Sequence, residues 1–366
     1  MRTSDLDYPF DPSLVARAPV TPRDAARLLV YRRATKAIEH RIVRDLPQYL
    51  ERGDALVVND TSVARARVKL QRAHGGARIE GLLLERRDAR TWIALLRNAK
   101  RVDPGERLDM IGPATAARPG AFGLIVHGRE GEGFVVSIDG GVTADAVLAE
   151  VGWTPLPPYI LKARKDDGGD DDGGGDANDR VRYQTVFAAD TDAPSVAAPT
   201  AGLHFTEQLL AAIAARGIER IPLTLQVGAG TFKPIEADEL SEHRMHRERC
   251  MITHAALAQL RSAHERSRRG AGRVVAVGTT SVRTLESLPS PLPLNGPLVW
   301  DTDILIAPGS SLRLTDALLT NFHLPRSTLI ALVAAFIGID ELKRIYAIAI
   351  SERYRFYSYG DAMLVV

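Results

Sequence analysis

Residues 66–73 (ARVKLQRA), 77–86 (ARIEGLLLER), 91–97 (TWIALLR), 105–110 (GERLDM), 121–128 (AFGLIVHG) and 133–139 (GFVVSID) follow one another with turn-forming residues between them. Apolar and polar positions tend to alternate within each run, and period two puts alternate side chains on opposite faces of a strand. Six such runs with no helical pattern between them predict an all-β unit. Closure into a small barrel would remove its exposed edges.

Outward from that block the pattern changes on both sides. Upstream, RLLVYRR (27–33) suits a helix or a strand, and ALVVND (55–60) reads as a short buried strand that ends in the polar corner NDT (59–61). Downstream, residues 143–151 predict a short helix, and WTPLPPYILKA (153–163) predicts a rigid extended connection, because proline fixes its own backbone and restricts its neighbour's. Residues 166–179 hold seven aspartates among glycines; like charge with little apolar surface predicts a disordered loop. Beyond it strands and helices alternate: helix 207–216, strand RIPLTLQV (220–227), helix 255–268, strand GRVVAVG (272–278), helix SVRTLESL (281–288), strand DILIA (303–307), loop TNFHLPRS (320–327), an apolar helix closed by Gly338, and a last helix over 341–354. The expected fold is therefore α/β, a three-layer αβα domain carrying an inserted small β-barrel. Residues 1–62 and 152–366 form the first and 63–151 the second.

Composition bounds the function class. The 366 residues are 45% hydrophobic and 25% charged, ordinary for a soluble globular protein. No apolar run is long enough to span a bilayer, and MRTSDLDYPF lacks the basic-then-apolar order of a signal peptide, so a cytoplasmic protein without membrane contact is expected. One cysteine, Cys250, excludes an internal disulfide. The net charge of +2 conceals basic blocks at 17–44 and 241–273, which would suit a phosphate backbone or a solvated face.

Several strand-end corners carry polar residues. PTAGLHFT (199–206) is a loop with Thr200, Gly202 and His204 that feeds a helix capped by Thr206. GTTSVRTLES (278–287) follows a strand and opens a helix; Gly278 permits close approach, Thr279 and Thr280 offer hydroxyls and amides, and Arg283 offers a fork for carboxylate or phosphate. GAGTFKP (228–234) supplies Gly228, Gly230, Thr231 and Lys233, TNFHLPRS supplies Asn321 and His323, and NDT supplies Asn59 and Asp60. Each has a reading as plain turn chemistry; together they suggest a shared cleft. GxxxxGK[ST], GxSxG and GxGxxG are absent, and His243, His246 and Cys250 in HRMHRERC do not complete a usual zinc set, so no metal is expected.

PLPPYI, RYQTVFA, AAPTAGLHFT, GAGTFKP, HRMH, GRVVAVGTTSVRTLES, LLTNFHLPRSTL and YRFYSYGDAM, in this order, closely resemble the S-adenosylmethionine:tRNA ribosyltransferase-isomerase family of queuosine biosynthesis. The resemblance implies transfer of the ribosyl part of S-adenosylmethionine to preQ1 (7-aminomethyl-7-deazaguanine) at the wobble position of tRNA, with isomerisation to epoxyqueuosine and release of adenine and methionine. No cofactor beyond that co-substrate is expected, and a monomer is expected. The sulfonium acidifies the C5′ hydrogens and adenine must leave, so a base and an acid are required. His204 and His323 titrate in the suitable range. With them, Thr200, Gly202, Gly228, Gly230, Thr231, Gly278, Thr279, Thr280, Arg283, Asn321, Asn59, Asp60 and Tyr183 are the expected substrate-binding residues. Gln226, Trp153, Thr154, Ser62 and Arg65 depart from the family's usual residues. The alternatives are a paralogue using S-adenosylmethionine on another acceptor and a non-catalytic RNA-binding protein of the same fold.

Overall fold

The computed structural model describes residues 1–72, 76–113, 120–166, 175–189, 194–228 and 235–366. In chain order its strands and helices are β1 (Arg27–Arg32), β2 (Ala37–Ile42), β3 (Ala55–Asn59), β4 (Arg67–Arg72), β5 (Arg78–Arg86), β6 (Thr91–Arg97), β7 (Arg107–Ile111), β8 (Gly123–Glu130), β9 (Gly133–Asp139), α1 (Ala144–Val151), α2 (Pro158–Asp166), α3 (Asp176–Arg182), α4 (Glu207–Ala215), β10 (Glu219–Leu225), β11 (Glu248–Ile252), α5 (His254–Arg268), β12 (Val274–Val277), α6 (Thr279–Glu286), β13 (Leu298–Thr302), β14 (Ala317–Asn321), α7 (Thr328–Ile337), α8 (Ile339–Ser351) and β15 (Ala362–Val365). Contacts divide the chain into two units: Met1–Ser62 with Gln184–Ala193 and Ala198–Val366, and Val63–Tyr183 with Pro194–Ala197.

The first unit is built on a nine-stranded sheet in the order β13-β11-β10-β3-β12-β14-β15-β1-β2. Its central strands are buried on both faces, so they read as near-continuous apolar runs such as ALVV and VVAV. Alternate residues feed two cores. Val57, Ala276 and Leu318 pack with Leu260, Val282, Val333 and Tyr346 from α5, α6, α7 and α8, while Val58, Val277 and Leu319 pack with Leu209 and Ile213 of α4, with Leu46, and with Phe205. That gives the three layers expected. Four strands escape the sequence pattern: β2, with its polar AIEHRI, β11, β14, whose end reads as loop, and β15. In their place DILIA is irregular, and the strand at the sheet's edge is β13, just before it.

The second unit is a closed barrel, β4-β5-β6-β9-β8-β7, with β7 pairing back onto β4. Inward residues such as Val68, Leu70, Leu83, Leu124 and Val136 are fully buried. This unit continues to Tyr183, beyond the expected boundary at 151. Trp153 is one cause: its backbone bridges Arg67, its indole Nε1 donates to the Ile111 carbonyl at 2.8 Å, and Lys69 sits 3.8 Å above its ring.

Two local expectations are corrected here. Residues 158–163 are helical within α2, because a proline at the first turn has no required N–H to lose. Residues 176–179 of the tract read as disordered begin α3: the Asp179 carboxylate accepts two bonds from Arg164 (2.6 and 2.8 Å), and Asp176 accepts from Arg180 (2.6 Å) and the Thr154 amide (2.8 Å). Like charge within the tract is offset by arginines outside it and at its far end. Residues 167–174 lie outside the described residues.

Candidate functional site

Strands β10, β3, β12 and β14 are adjacent and mutually parallel, so their carboxyl ends lie along one edge of the sheet. Four of the polar corners read from the sequence are their continuations: Gly228 follows β10, Asn59 and Asp60 end β3, Gly278 follows β12, and Asn321 and His323 follow β14. Two antiparallel neighbours enter at the same edge, since Leu225 faces Cys250 and Asn321 faces Ala362. Glu248 and Gly360 therefore belong to it as well. Gly230, Thr231 and Lys233 lie outside the described residues, and Tyr183 belongs to the barrel's unit, where it is buried.

At the β12 corner, Gly278 has φ of +86°, a backbone region that disfavours side chains, and its N–H donates to the Leu319 carbonyl at 2.8 Å. The turn delivers α6 with Thr279, Thr280 and Arg283 buried. Arg283 is less open than the sequence suggests. Its Nη1 pairs with Glu248, both side chains being at most 4% exposed, and its Nε donates to the Ile304 carbonyl at 3.2 Å. The other Glu248 oxygen accepts the Gly228 N–H at 3.2 Å. Among the described residues Arg283 Nη2 and Thr280 Oγ1 are buried without a hydrogen-bond partner, and both are able to receive a ligand's acceptor atoms.

At the β14 corner, Thr200 Oγ1 donates to Asn321 Oδ1 at 3.1 Å, and Asn321 Nδ2 donates to the Tyr357 carbonyl at 2.9 Å. His323 Nε2 shares a 2.8 Å bond with Thr320 Oγ1; its backbone is held by the Tyr346 and Tyr8 hydroxyls. Burial pushes its pKa down to about 3, so the ring is neutral at physiological pH. Its Nδ1 has no hydrogen-bond partner among the described residues. His204 differs: Nδ1 lies 3.1 Å from the Ala201 carbonyl oxygen and Nε2 2.9 Å from that of Gly360. Burial lowers its pKa against the opposing pull of those carbonyls. Each ring nitrogen faces a backbone carbonyl, and the neutral ring, with a single N–H, donates to one of the two.

The β3 corner divides its residues between two tasks. Asn59 stitches β3 to β10, its Oδ1 accepting from the Leu225 and Thr61 amides and its Nδ2 donating to the Leu225 carbonyl. Asp60 keeps one carboxylate oxygen on Thr224 Oγ1 at 2.7 Å, and partial burial holds its pKa above the ordinary carboxylate value. Gly202 serves packing: a Cβ there would stand 2.6 Å from Phe187 Cζ and 2.9 Å from Thr185 Cγ2. Glu248 and Gly360 escaped the sequence reading. Glu248 was visible only as the acid within HRMHRERC, while Gly360 acts through a carbonyl that no side-chain pattern reports. Cys250 of that string is an inward residue of β11, and no group of three metal-binding side chains occurs among the described residues.

A layered sheet whose parallel strands end together in Gly, Thr, Asn, Asp and His corners is the architecture of an α/β protein with its ligand site at the carboxyl ends of its strands. The family described as "Queuosine biosynthesis protein" matches residues 3–365, and the chain belongs to this family of S-adenosylmethionine:tRNA ribosyltransferase-isomerases. Among its relatives, proteins named S-adenosylmethionine:tRNA ribosyltransferase-isomerase from Gluconacetobacter diazotrophicus and Parvibaculum lavamentivorans are 48% and 46% identical. The alignments cover 99% of this chain and 96% of the former, and 100% and 99% for the latter. The crystal structure of S-adenosylmethionine tRNA ribosyltransferase from Thermotoga maritima is 33% identical, with a TM-score of 0.53 over 99% of this chain and 100% of that one.

Proposed function

We propose that this chain transfers the ribosyl moiety of S-adenosylmethionine to preQ1 in the wobble position of tRNA and isomerises it, giving epoxyqueuosine with release of adenine and methionine. The observation that carries this reading is the end-to-end match to relatives bearing that activity in their names. The site supports it with two kinds of group. Arg283 Nη2 and Thr280 Oγ1 are buried donors that would receive the methionine carboxylate; Glu248 neutralises the guanidinium, so direction rather than net charge does the holding.

Of the two histidines we assign proton transfer to His323, through Nδ1, with Thr320 fixing the ring from the other side. A sulfonium acidifies the adjacent C5′ hydrogens, which lets a weak base act once substrate excludes water. His204, whose ring nitrogens both face backbone carbonyls, is the positioning residue that sets Thr200 and Gly360. The enzyme is read as a cytoplasmic monomer needing no metal; among the described residues no helix is long and apolar enough to cross a membrane. Chromatography of the small-molecule products tests the reading. Adenine should appear only when both S-adenosylmethionine and preQ1-containing tRNA are present, and His323→Ala should lower kcat by about 10²-fold or more. Adenine release that ignores preQ1 would point to another acceptor, and tRNA binding with no adenine at all would leave a binding protein.

A further inference from the structure

The two basic blocks read from the sequence fare differently in the fold. In the first, the charges are engaged internally: Arg32 and Arg41 share Glu39, Arg44 pairs with Asp24, Lys36 with Glu341 and Arg27 with Glu352, while Arg33 donates to the Asp316 carbonyl. In the second, Arg273 pairs with Asp54, Arg266 with Glu219 and Arg269 with Glu265, and Arg261 donates to the Leu294 carbonyl. Arg268 is exposed and without an ion-pair or side-chain hydrogen-bond partner among the described residues, and so are Arg244, Arg247 and Arg249, which lie together within six residues.

Their position is equally specific. The chain leaves β10 at the carboxyl edge; Ile235 then bonds by its N–H to the Arg326 carbonyl beyond β14, and the chain returns to that edge at Glu248. Arg244, Arg247 and Arg249 bracket that return, and the buried Glu248–Arg283 pair pins it to α6. Three exposed guanidiniums, one of them across the strand pair from Asp301, thus lie on an anchored segment at the carboxyl edge of the sheet.

We infer that Arg244, Arg247 and Arg249 form the surface that grips the phosphate backbone of the acceptor RNA beside the carboxyl ends of β10, β3 and β12. This rests on the reading of tRNA as acceptor. Guanidinium forks suit phosphate oxygens bidentately, and neutralising phosphates releases counterions, so binding through this surface carries its own salt signature.

The test measures the dissociation constant of preQ1-containing tRNA across a salt series, for wild type, Arg244→Ala/Arg247→Ala/Arg249→Ala, the corresponding triple lysine variant, and an Arg32→Gln/Arg41→Gln/Arg44→Gln control. The alanine variant should lower the slope of log affinity against log salt by about 2 to 3 and raise KM for tRNA at least about tenfold, with kcat changing less than about twofold. The lysine variant should keep most of the slope, and the control all of it. An unchanged slope in the alanine variant, with wild type still turning over preQ1-tRNA, overturns this surface and leaves the acceptor reading standing. Wild type that binds no tRNA overturns both.

Discussion

Lowering the pH should destabilise this protein through His323 in a way that a single substitution removes. His323 is 7% exposed, among the described residues its ring hydrogen-bonds only to Thr320, and its pKa stands at about 3 against an ordinary 6.5. The folded state therefore binds fewer protons than the unfolded chain between those values. Stability is full above the unfolded value and falls as pH drops through 6.5 toward 3. Between pH 7 and pH 5 the unfolded imidazole becomes almost fully protonated while the folded one does not, which costs about 2 kcal/mol. His204 shifts in the same direction and adds to the slope. Equilibrium denaturant unfolding at the two pH values, for wild type and His323→Gln, isolates the His323 share. The variant should be less stable at pH 7 yet lose about 2 kcal/mol less on acidification. Parallel losses in the two proteins would refute the reasoning, because a ring that protonates freely in the folded state cannot be the neutral group described here.

Other substitutions probe the same edge. Glu248→Ala would leave the Arg283 guanidinium buried and uncompensated, at about 3–5 kcal/mol, seen as a lowered unfolding midpoint with a raised KM for S-adenosylmethionine. Gly202→Ala would force its Cβ into Phe187 and Thr185 and should cost about 1–3 kcal/mol by thermal unfolding. Gly278→Ala meets only ordinary van der Waals contacts, Ala201 Cβ at 3.5 Å and Thr280 Oγ1 at 3.6 Å, but must adopt φ of +86°, so a loss of about 1–3 kcal/mol should come from backbone strain. The Cys250 thiol, buried and pushed up to about 12, should resist a thiol reagent at pH 8 until the protein unfolds.

What the sequence revealed and what it hid follow from the kind of information each residue carries. The barrel strands were legible because one face is wet and one dry, which writes period two into the chain. Strands β3 and β12, buried on both faces, were legible as short apolar runs closed by Asn59 or Gly278. Strand β14 was not, since its TN end belongs to the same string as the loop and nothing separates them locally; β15 reads as a tail until β14 and β1 pair with it. The strand-end corners were found as turn chemistry, and the adjacency of four parallel strands gathers them at one edge. What stayed hidden was who bonds whom. Arg283 looks free until Glu248, 35 residues earlier in the chain, is folded against it. His204 looks like a titrating group until two carbonyls, one of them 156 residues away, are seen to face it. Long-range pairing of this kind leaves no period in the sequence.

The proposed reaction carries the ribosyl carbons of S-adenosylmethionine onto preQ1 in tRNA. Incubating the purified protein with S-adenosylmethionine labelled with carbon-13 in the ribose and with preQ1-containing tRNA, then digesting the RNA for nucleoside mass analysis, addresses it directly. Fully labelled epoxyqueuosine is expected, with one adenine and one methionine released per nucleoside formed. Unlabelled preQ1 recovered intact beside consumed S-adenosylmethionine would contradict it.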